Sequence, residues 1–268
     1  MDRVILVALL TGPALDDAGA AQLGADLGVT PYEAKMTVAP GYPSIVATRA
    51  DADHACALVA KLRARGYDAV TVDSAEIVPS EAMITMDRFA FEPGAVVVAR
   101  ERLELADVLC MLRATHRTRS ATETTTTERR FSAGRSLLTG GLSNTTTVTK
   151  HATASAESRE QVLYVFRRSG ETPWILREQG RHYEGLGEAL GRTQVENFAT
   201  TIRLLREGAP TATYDERLVG RARVAERSGV RGTAAHSTVT SSSSSGVDAL
   251  AHLVAVAVGG GGPGPYRR

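Results

Sequence analysis

The first 78 residues alternate short apolar runs with segments whose apolar residues recur at helical spacing. Residues 4–10 form an apolar run that predicts a strand, and a capped helix then follows and ends at Gly28. A short helix begins after Thr30, and a strand, a helix and a strand complete the region. This order in fewer than 80 residues is typical of helices covering one face of a small sheet. The sequence therefore predicts an α+β domain at 1–78.

Residues 81–216 have a second pattern that is richer in strands. The run 162–166 predicts a strand, with 174–177 as its hairpin partner. Thr193 and Glu196 form a capping box at the start of a helix. A β-rich body closed by one helix resembles a pleckstrin-homology-type barrel in its element order alone, and a different α+β topology is the alternative. We therefore expect a barrel-like second domain at 81–216 within an α+β protein.

A threonine-rich stretch interrupts this second domain at 115–153, where 13 of 39 residues are threonine. Threonine favours strands, so the stretch predicts either a protruding hairpin or a long loop. This stretch contains arginine guanidinium groups, hydroxyl groups and the backbone N–H groups of a glycine-rich segment. Such donors can form an anion-binding nest, and a structural turn is the alternative. The candidate anion-binding residues are Arg117, Arg119, Arg135, Ser136 and Thr139.

The last part of the sequence changes abruptly from polar to apolar. Residues 217–246 are rich in Arg, Gly, Thr and Ser and predict a flexible linker. The segment 247–268 opens with twelve mostly apolar residues, too few to cross a bilayer. We expect it to dock a protein partner or a second copy through Leu250, Leu253 and Val254. Folding back onto the chain and adhesion to a membrane surface are the alternatives.

Composition narrows the possible chemistry. With 43% apolar residues and a net charge of +1, the chain is neither wholly disordered nor globally basic, so we expect no nucleic-acid partner. Cys56 and Cys110 cannot form a disulfide framework or a four-cysteine metal site. The six histidines are scattered, and no nucleophile–base grouping is recognisable. We therefore predict a cytoplasmic protein with no catalytic residue, metal or cofactor.

Residues 27–35 and 57–66, with the strand between them, resemble the C-terminal domain of the bacterial ribosomal stalk protein. The Clp protease adaptor has a similar fold, and the resemblance implies a domain that docks other proteins without catalysis. The stalk family presents paired lysines to translation factors. Lys35 matches one of them, and Tyr32 occupies the place of the other. Tyr32 and Lys35 are therefore candidate partner-binding residues, with a plain solvated helix face as the alternative.

These patterns lead to one hypothesis and two alternatives. We expect a non-catalytic protein-interaction adaptor or scaffold with a tethered docking segment. The first alternative is a peripheral binder of anionic lipid or a small anionic ligand, and the second is an unrecognised enzyme.

Overall fold

The computed structural model describes residues 4–131, 145–180, 182–220, 227–233 and 236–260. The chain divides into two compact units. The main unit draws its residues from 1–116, 160–225 and 244–268, and the β unit from 117–159 and 226–243. This division corrects the predicted domain boundary near residue 80, because residues on both sides of that point belong to one unit and share one hydrophobic core.

The main unit begins with the α+β layer that the sequence predicts. Strand β1 (Ile5–Thr11) lies between β2 (Ser44–Arg49) and β3 (Asp68–Asp73), and both pairings are antiparallel. The helices of this layer are α1 (Asp17–Leu27), α2 (Pro31–Val38) and α3 (Ala52–Ala64). Alternate β1 side chains such as Val7 and Leu9 pack with the helices, and Ala8 and Leu10 belong to a different core. Both faces of this sheet are therefore buried.

Short-range hydrogen bonds fix the start of these helices. Asp16 Oδ1 accepts a hydrogen bond from Gly19 N at 2.7 Å and begins α1. Gly28, with φ 78°, ends α1 in the left-handed conformation that suits glycine. Thr30 Oγ1 then accepts from Glu33 N at 3.2 Å, and Glu33 Oε2 accepts from Thr30 N at 2.8 Å. This capping box confirms the predicted start of α2.

The rest of the main unit is built on two further sheets. The strands are β4 (Ile84–Thr85), β5 (Phe89–Glu92), β6 (Ala95–Val98), β7 (Glu101–Glu104), β8 (Val108–Phe131), β9 (Thr145–Arg167), β10 (Trp174–Arg177) and β11 (Thr213–Leu218). Strands β5, β6 and β7 form an antiparallel sheet. Strands β8, β9, β10 and β4 are successive neighbours in a larger sheet, and β11 pairs with β8 in parallel. The antiparallel β9–β10 pair confirms the predicted hairpin partners.

Helix α4 (Gln194–Gly208) begins at the predicted capping box of Thr193 and Glu196. Its residues Phe198, Ile202 and Leu205 are buried in a core that includes Trp174 and Leu103. The α+β class is thus confirmed. Within the ranges described above, however, the sheets stay open and none closes into a barrel, so the barrel-like detail is corrected.

The β unit contains residues 117–131 of β8 and 145–159 of β9. It also contains β12 (Arg227–Thr233) and β13 (His236–Ser242). Strand β13 pairs antiparallel with both β12 and β8. The described residues of the threonine-rich stretch are therefore strands, as the hairpin alternative expects, and 132–144 lie outside the described residues. Strands β12 and β13 also correct the predicted linker, since backbone pairing compensates here for the scarcity of apolar side chains.

Candidate functional site

The predicted docking segment is a helix in the core of the main unit. Helix α5 (Ser244–Val258) leaves Leu250, Leu253 and Val254 only 2%, 0% and 2% exposed. These side chains pack with Ala8 and Leu10 of β1, in a core that also includes β3, β8 and β9 residues. The prediction that they are available to a partner is therefore wrong, because the same chain covers them. Residues 261–268 lie outside the described residues.

A buried polar network centred on Asp248 holds α5 in this core. Asp248 is 1% exposed, and its Oδ2 accepts a hydrogen bond from Ser80 N at 3.0 Å. Its Oδ1 accepts from the Ser80 hydroxyl and, at 2.7 Å, from the Tyr164 hydroxyl. His116 Nε2 lies 2.5 Å from Tyr164 Oη and donates to it, since the Tyr164 hydrogen points to Asp248. Three donors thus satisfy a carboxylate that water does not reach.

Two histidines of this region are buried as neutral side chains. His252 Nε2 accepts a hydrogen bond from Val78 N at 3.1 Å, so its proton is on Nδ1, which donates to Asp248 O at 2.8 Å. Burial lowers the pKa of His252. Burial, with a smaller contribution from Arg177, lowers the pKa of His116 to about 4. Burial and the Asp248 charge raise the pKa of Tyr164 well above its ordinary value.

We assign this network to anchoring the helix, because its geometry does not suit catalysis. The Ser80 hydroxyl donates to Asp248 and not to a histidine, so no base is placed to activate it as a nucleophile. Ser80, His116 and Asp248 are all buried away from a substrate. The sequence does not reveal this network, because its members come from segments far apart in the chain and have no characteristic local spacing.

A surface beside the first helices has the opposite character. Tyr32 is 70% exposed, Met36 is 42% exposed and Val29 is 40% exposed. Tyr32 and Met36 are four residues apart on α2 and lie on one side of it, and Val29 precedes Tyr32 by three residues. Ala34 is the one α2 residue that is fully buried. We call Val29, Tyr32 and Met36 the α2 face.

The predicted pair Tyr32 and Lys35 thus lies on one helix, but the two side chains have different surroundings. Lys35 Nζ forms an ion pair with Asp17 Oδ1, and the two side chains are 42% and 97% exposed. The hydrogen bond from Lys35 lowers the pKa of Asp17. Residues 16–38 contain four acidic residues and this single lysine. Asp26 is paired with Lys61 at 2.8 Å and with Arg65 at 2.5 Å. The acidic excess beside the α2 face therefore comes from Asp16, Asp17 and Glu33 against Lys35.

The predicted anion-binding residues are not brought together by the described part of the structure. Arg119 Nε lies 3.4 Å from Glu157 Oε2, and Arg159 also pairs with Glu157 at 2.8 Å. Arg117 N donates to Ser243 Oγ at 2.9 Å. Arg135, Ser136 and Thr139 lie outside the described residues. The anion site around these residues remains a prediction.

Other candidate chemistry is limited in the described residues. Among them, no three His, Cys, Asp or Glu side chains cluster as metal ligands would. Cys56 is exposed, Cys110 is buried, and neither forms a disulfide; burial raises the pKa of Cys110. The helices within the described ranges include none long and apolar enough to cross a membrane.

A groove lies between the last turns of α4 and the chain that enters β11, with a volume of about 600 Å³. It is lined by Met111, Arg203, Arg206, Glu207, Ala209, Pro210, Ala212 and Tyr214. We call it the Arg206 groove. The Arg206 guanidinium carbon lies 4.2 Å from the centre of the Tyr214 ring, so the cation stacks on the aromatic face. The sequence does not indicate this site, because its residues form no recognised motif.

A second cavity, of about 590 Å³, adjoins His182. Its lining also includes Arg88, Phe89, Glu184 and Gly185. His182 Nδ1 lies 3.4 Å from Glu184 Oε1, and both side chains are exposed. A backbone hydrogen bond, with a smaller contribution from His182, lowers the pKa of Glu184.

Neither a protein-family model, nor a curated protein, nor a solved structure matches this chain. The resemblance of residues 1–78 to the ribosomal stalk domain therefore stays a prediction from residues 27–35 and 57–66 and the strand between them. Function is therefore inferred from side-chain geometry and charge.

Proposed function

We propose that this chain is a non-catalytic protein-interaction module and that the α2 face is its docking surface. The observation that carries the proposal is the 70% exposure of Tyr32 on a capped helix. Exposing a large aromatic side chain gives up the free energy of its burial, and tyrosine anchors are enriched among residues that dominate binding energy. Met36 and Val29 extend the apolar contact on either side of this anchor.

Rigid support favours this surface as a binding site. The capping box of Thr30 and Glu33 fixes the first turn of α2 beside Tyr32. The approach of α1 to this turn is so close that a Cβ atom at Gly24 would lie 2.8 Å from Val29 O. A preorganised surface loses little conformational entropy when a partner binds.

The acidic surroundings identify the chemistry of the partner. Asp16, Asp17 and Glu33 outnumber Lys35, whose charge is already paired, whereas the Asp26 side chain is 2% exposed and is compensated by Lys61 and Arg65. A complementary partner segment therefore carries an apolar side chain flanked by Lys or Arg. We propose a segment of another protein as the occupant, and pairing with a second copy of this chain is the outcome that would refute it.

The proposed location is the cytoplasm, and the proposed activity requires no cofactor. Two cysteines without a disulfide are compatible with a reducing compartment. The resemblance to the stalk domain and the Clp protease adaptor implies docking by residues 1–78 as well, which agrees in kind with the α2 face.

A peptide-display experiment tests the docking proposal. A library of short random peptides is selected on the full chain, and the enriched peptides are measured by fluorescence anisotropy. We expect them to combine an aromatic or aliphatic residue with Lys or Arg. Tyr32→Ala should weaken their binding by about 10-fold or more, the effect of removing a hot-spot side chain.

Val195→Ala is the matched control, because Val195 is also apolar and is 59% exposed outside the α2 face. It should leave peptide affinity unchanged. Enriched peptides that bind Tyr32→Ala as well as the original chain would refute the proposed surface, as would a Tyr32-dependent dimer seen by analytical ultracentrifugation. Enrichment of acidic peptides would refute the proposed partner chemistry.

A further inference from the structure

The Arg206 groove contains one guanidinium whose charge no carboxylate balances within the described residues. Arg203 Nη1 is 2.9 and 3.1 Å from the two carboxylate oxygens of Glu207, so these opposite charges compensate each other. Arg206 lines the same groove, and no carboxylate of the described residues lies within ion-pair distance of it. The C-terminal end of α4 favours a cation there but supplies no counter-ion. The side chains of the groove therefore sum to one positive charge, which the C-terminal end of α4 offsets in part.

A contact with Tyr214 restricts the exposed side chain of Arg206. Its guanidinium carbon lies 4.2 Å from the centre of the half-buried Tyr214 ring, within the range of a cation–π contact. The Tyr214 hydroxyl donates to Glu216 Oε1 at 2.5 Å and holds the ring in place. Glu216 is itself 3.6 Å from Arg113 Nη1, which compensates its charge. Such a guanidinium loses little entropy when it pairs with an anion.

The remaining lining of the groove is apolar. Met111 and Ala209 are buried, and Pro210 and Ala212 complete the apolar part. A volume of about 600 Å³ lies within the range of small-molecule sites. A ligand that fits this lining has an apolar body and one anionic group.

We propose that the Arg206 groove binds a small organic carboxylate with an apolar body. Its carboxylate accepts hydrogen bonds from the in-plane N–H groups of Arg206, in the fork geometry that guanidinium and carboxylate share. Its apolar body contacts Pro210 and Ala212, which are the apolar lining residues that remain accessible. This site uses no residue of the α2 face and is independent of the proposed docking function.

Titration of the full chain with benzoate tests the proposal. In two-dimensional amide NMR spectra, benzoate should shift the signals of Ala209, Ala212 and Tyr214 in a saturable way. Arg206→Gln should weaken benzoate binding by about 10-fold or more, because it removes a charge-assisted bidentate contact. Arg206→Lys keeps the charge without the fork and should give an intermediate loss of about 3-fold.

Neutral and cationic probes and a distant arginine complete the test. Benzyl alcohol and benzylamine, which lack the carboxylate, should bind at least about 10-fold more weakly than benzoate, because neither pairs with a guanidinium. Arg192→Gln, an exposed arginine before the other end of α4, should leave benzoate binding unchanged. Benzoate shifts that persist in Arg206→Gln, equal binding of benzyl alcohol, or no saturable shift at the groove would each overturn the proposal. Thermal unfolding of each variant distinguishes a lost site from a lost fold.

Discussion

Helices α5 and α2 differ in composition and surroundings in opposite senses. Helix α5 is strongly apolar, and its leucines are buried between two sheets of the main unit. Helix α2 has Glu, Lys and Thr among its eight residues, yet Tyr32 and Met36 face solvent. An apolar run in a sequence therefore indicates that apolar surface must be buried. It does not indicate whether the same chain or a partner protein buries it.

The difference has a physical origin in the first sheet. Strand β1 is apolar at nearly every position, so covering it with α1 and α3 leaves Ala8 and Leu10 uncovered on the other face. Helix α5 covers that face, and the bonds of Asp248 to Ser80 and Tyr164 fix its register. The residues of the α2 face are not required to bury a sheet in this way. We therefore treat α5 as a folding element and the α2 face as the proposed docking surface.

Truncating one side chain on each helix gives the largest expected contrast. Leu253→Ala should lower the free energy of unfolding by about 4 kcal/mol, because it leaves a cavity at a fully buried position. Tyr32→Ala should change it by less than about 0.5 kcal/mol, as expected at an exposed site. Urea denaturation followed by circular dichroism measures both. A loss below about 1 kcal/mol for Leu253→Ala would mean that α5 is not integral to the core.

We expect acid to destabilise the core that contains α5. The folded chain keeps His116 neutral down to pH about 4, whereas the unfolded chain protonates it below its ordinary pKa of 6.5. The contribution of neutral His116 to the free energy of unfolding is therefore fully present above pH 6.5, and it is lost as the pH falls toward 4. The expected loss is about 3 kcal/mol. The lowered pKa of His252 adds to it in the same direction.

His116→Gln isolates this contribution, because glutamine is neutral throughout and can still donate to Tyr164. The variant should lose less stability than the original chain between pH 6.5 and 4 in urea titrations. Carboxylates such as Asp107 and Asp215, whose pKa is lowered from 3.8 by hydrogen bonds and arginines, act at lower pH and are common to both proteins. Parallel stability curves for the two proteins would show that His116 is not buried in its neutral form.

Local signals in the sequence predicted much of the fold. The caps at Asp16, Thr30 and Thr193 each depend on residues within three or four positions, so the pattern alone places the helix starts. The order of helices and strands along 1–78 and the β9–β10 pair followed from apolar runs, caps and turns. Tyr32 and Lys35 lie on the helix whose start the capping box predicts.

Long-range pairing could not be predicted in the same way. The place of α5 depends on β1 and on Ser80, which are more than 160 residues away in the chain. The Asp248 network and the Arg206 groove likewise join segments whose separation in sequence has no characteristic spacing. The strands β12 and β13 contain glycine and serine, which do not favour strands, and their backbone pairing overrides that preference.

A smaller effect is expected when Asp248, the polar anchor of α5, is replaced. Asp248→Asn keeps the size of the side chain but replaces one of the two carboxylate oxygens with an NH2 group. The donors from Ser80 and Tyr164 then have only one acceptor oxygen left. We expect a loss of about 2 kcal/mol in the free energy of unfolding, the cost of leaving a buried donor unsatisfied. Urea denaturation at pH 7 measures it.

A double-mutant cycle with Tyr164→Phe assigns this loss to the hydrogen bond and not to packing. Tyr164→Phe removes the hydroxyl that donates to Asp248 and accepts from His116, and it keeps the ring. If the network acts as a unit, the double variant should be less destabilised than the two single losses added together, by about 1 kcal/mol. Strictly additive losses would mean that Asp248 and Tyr164 contribute separately and that the network does not act as a unit.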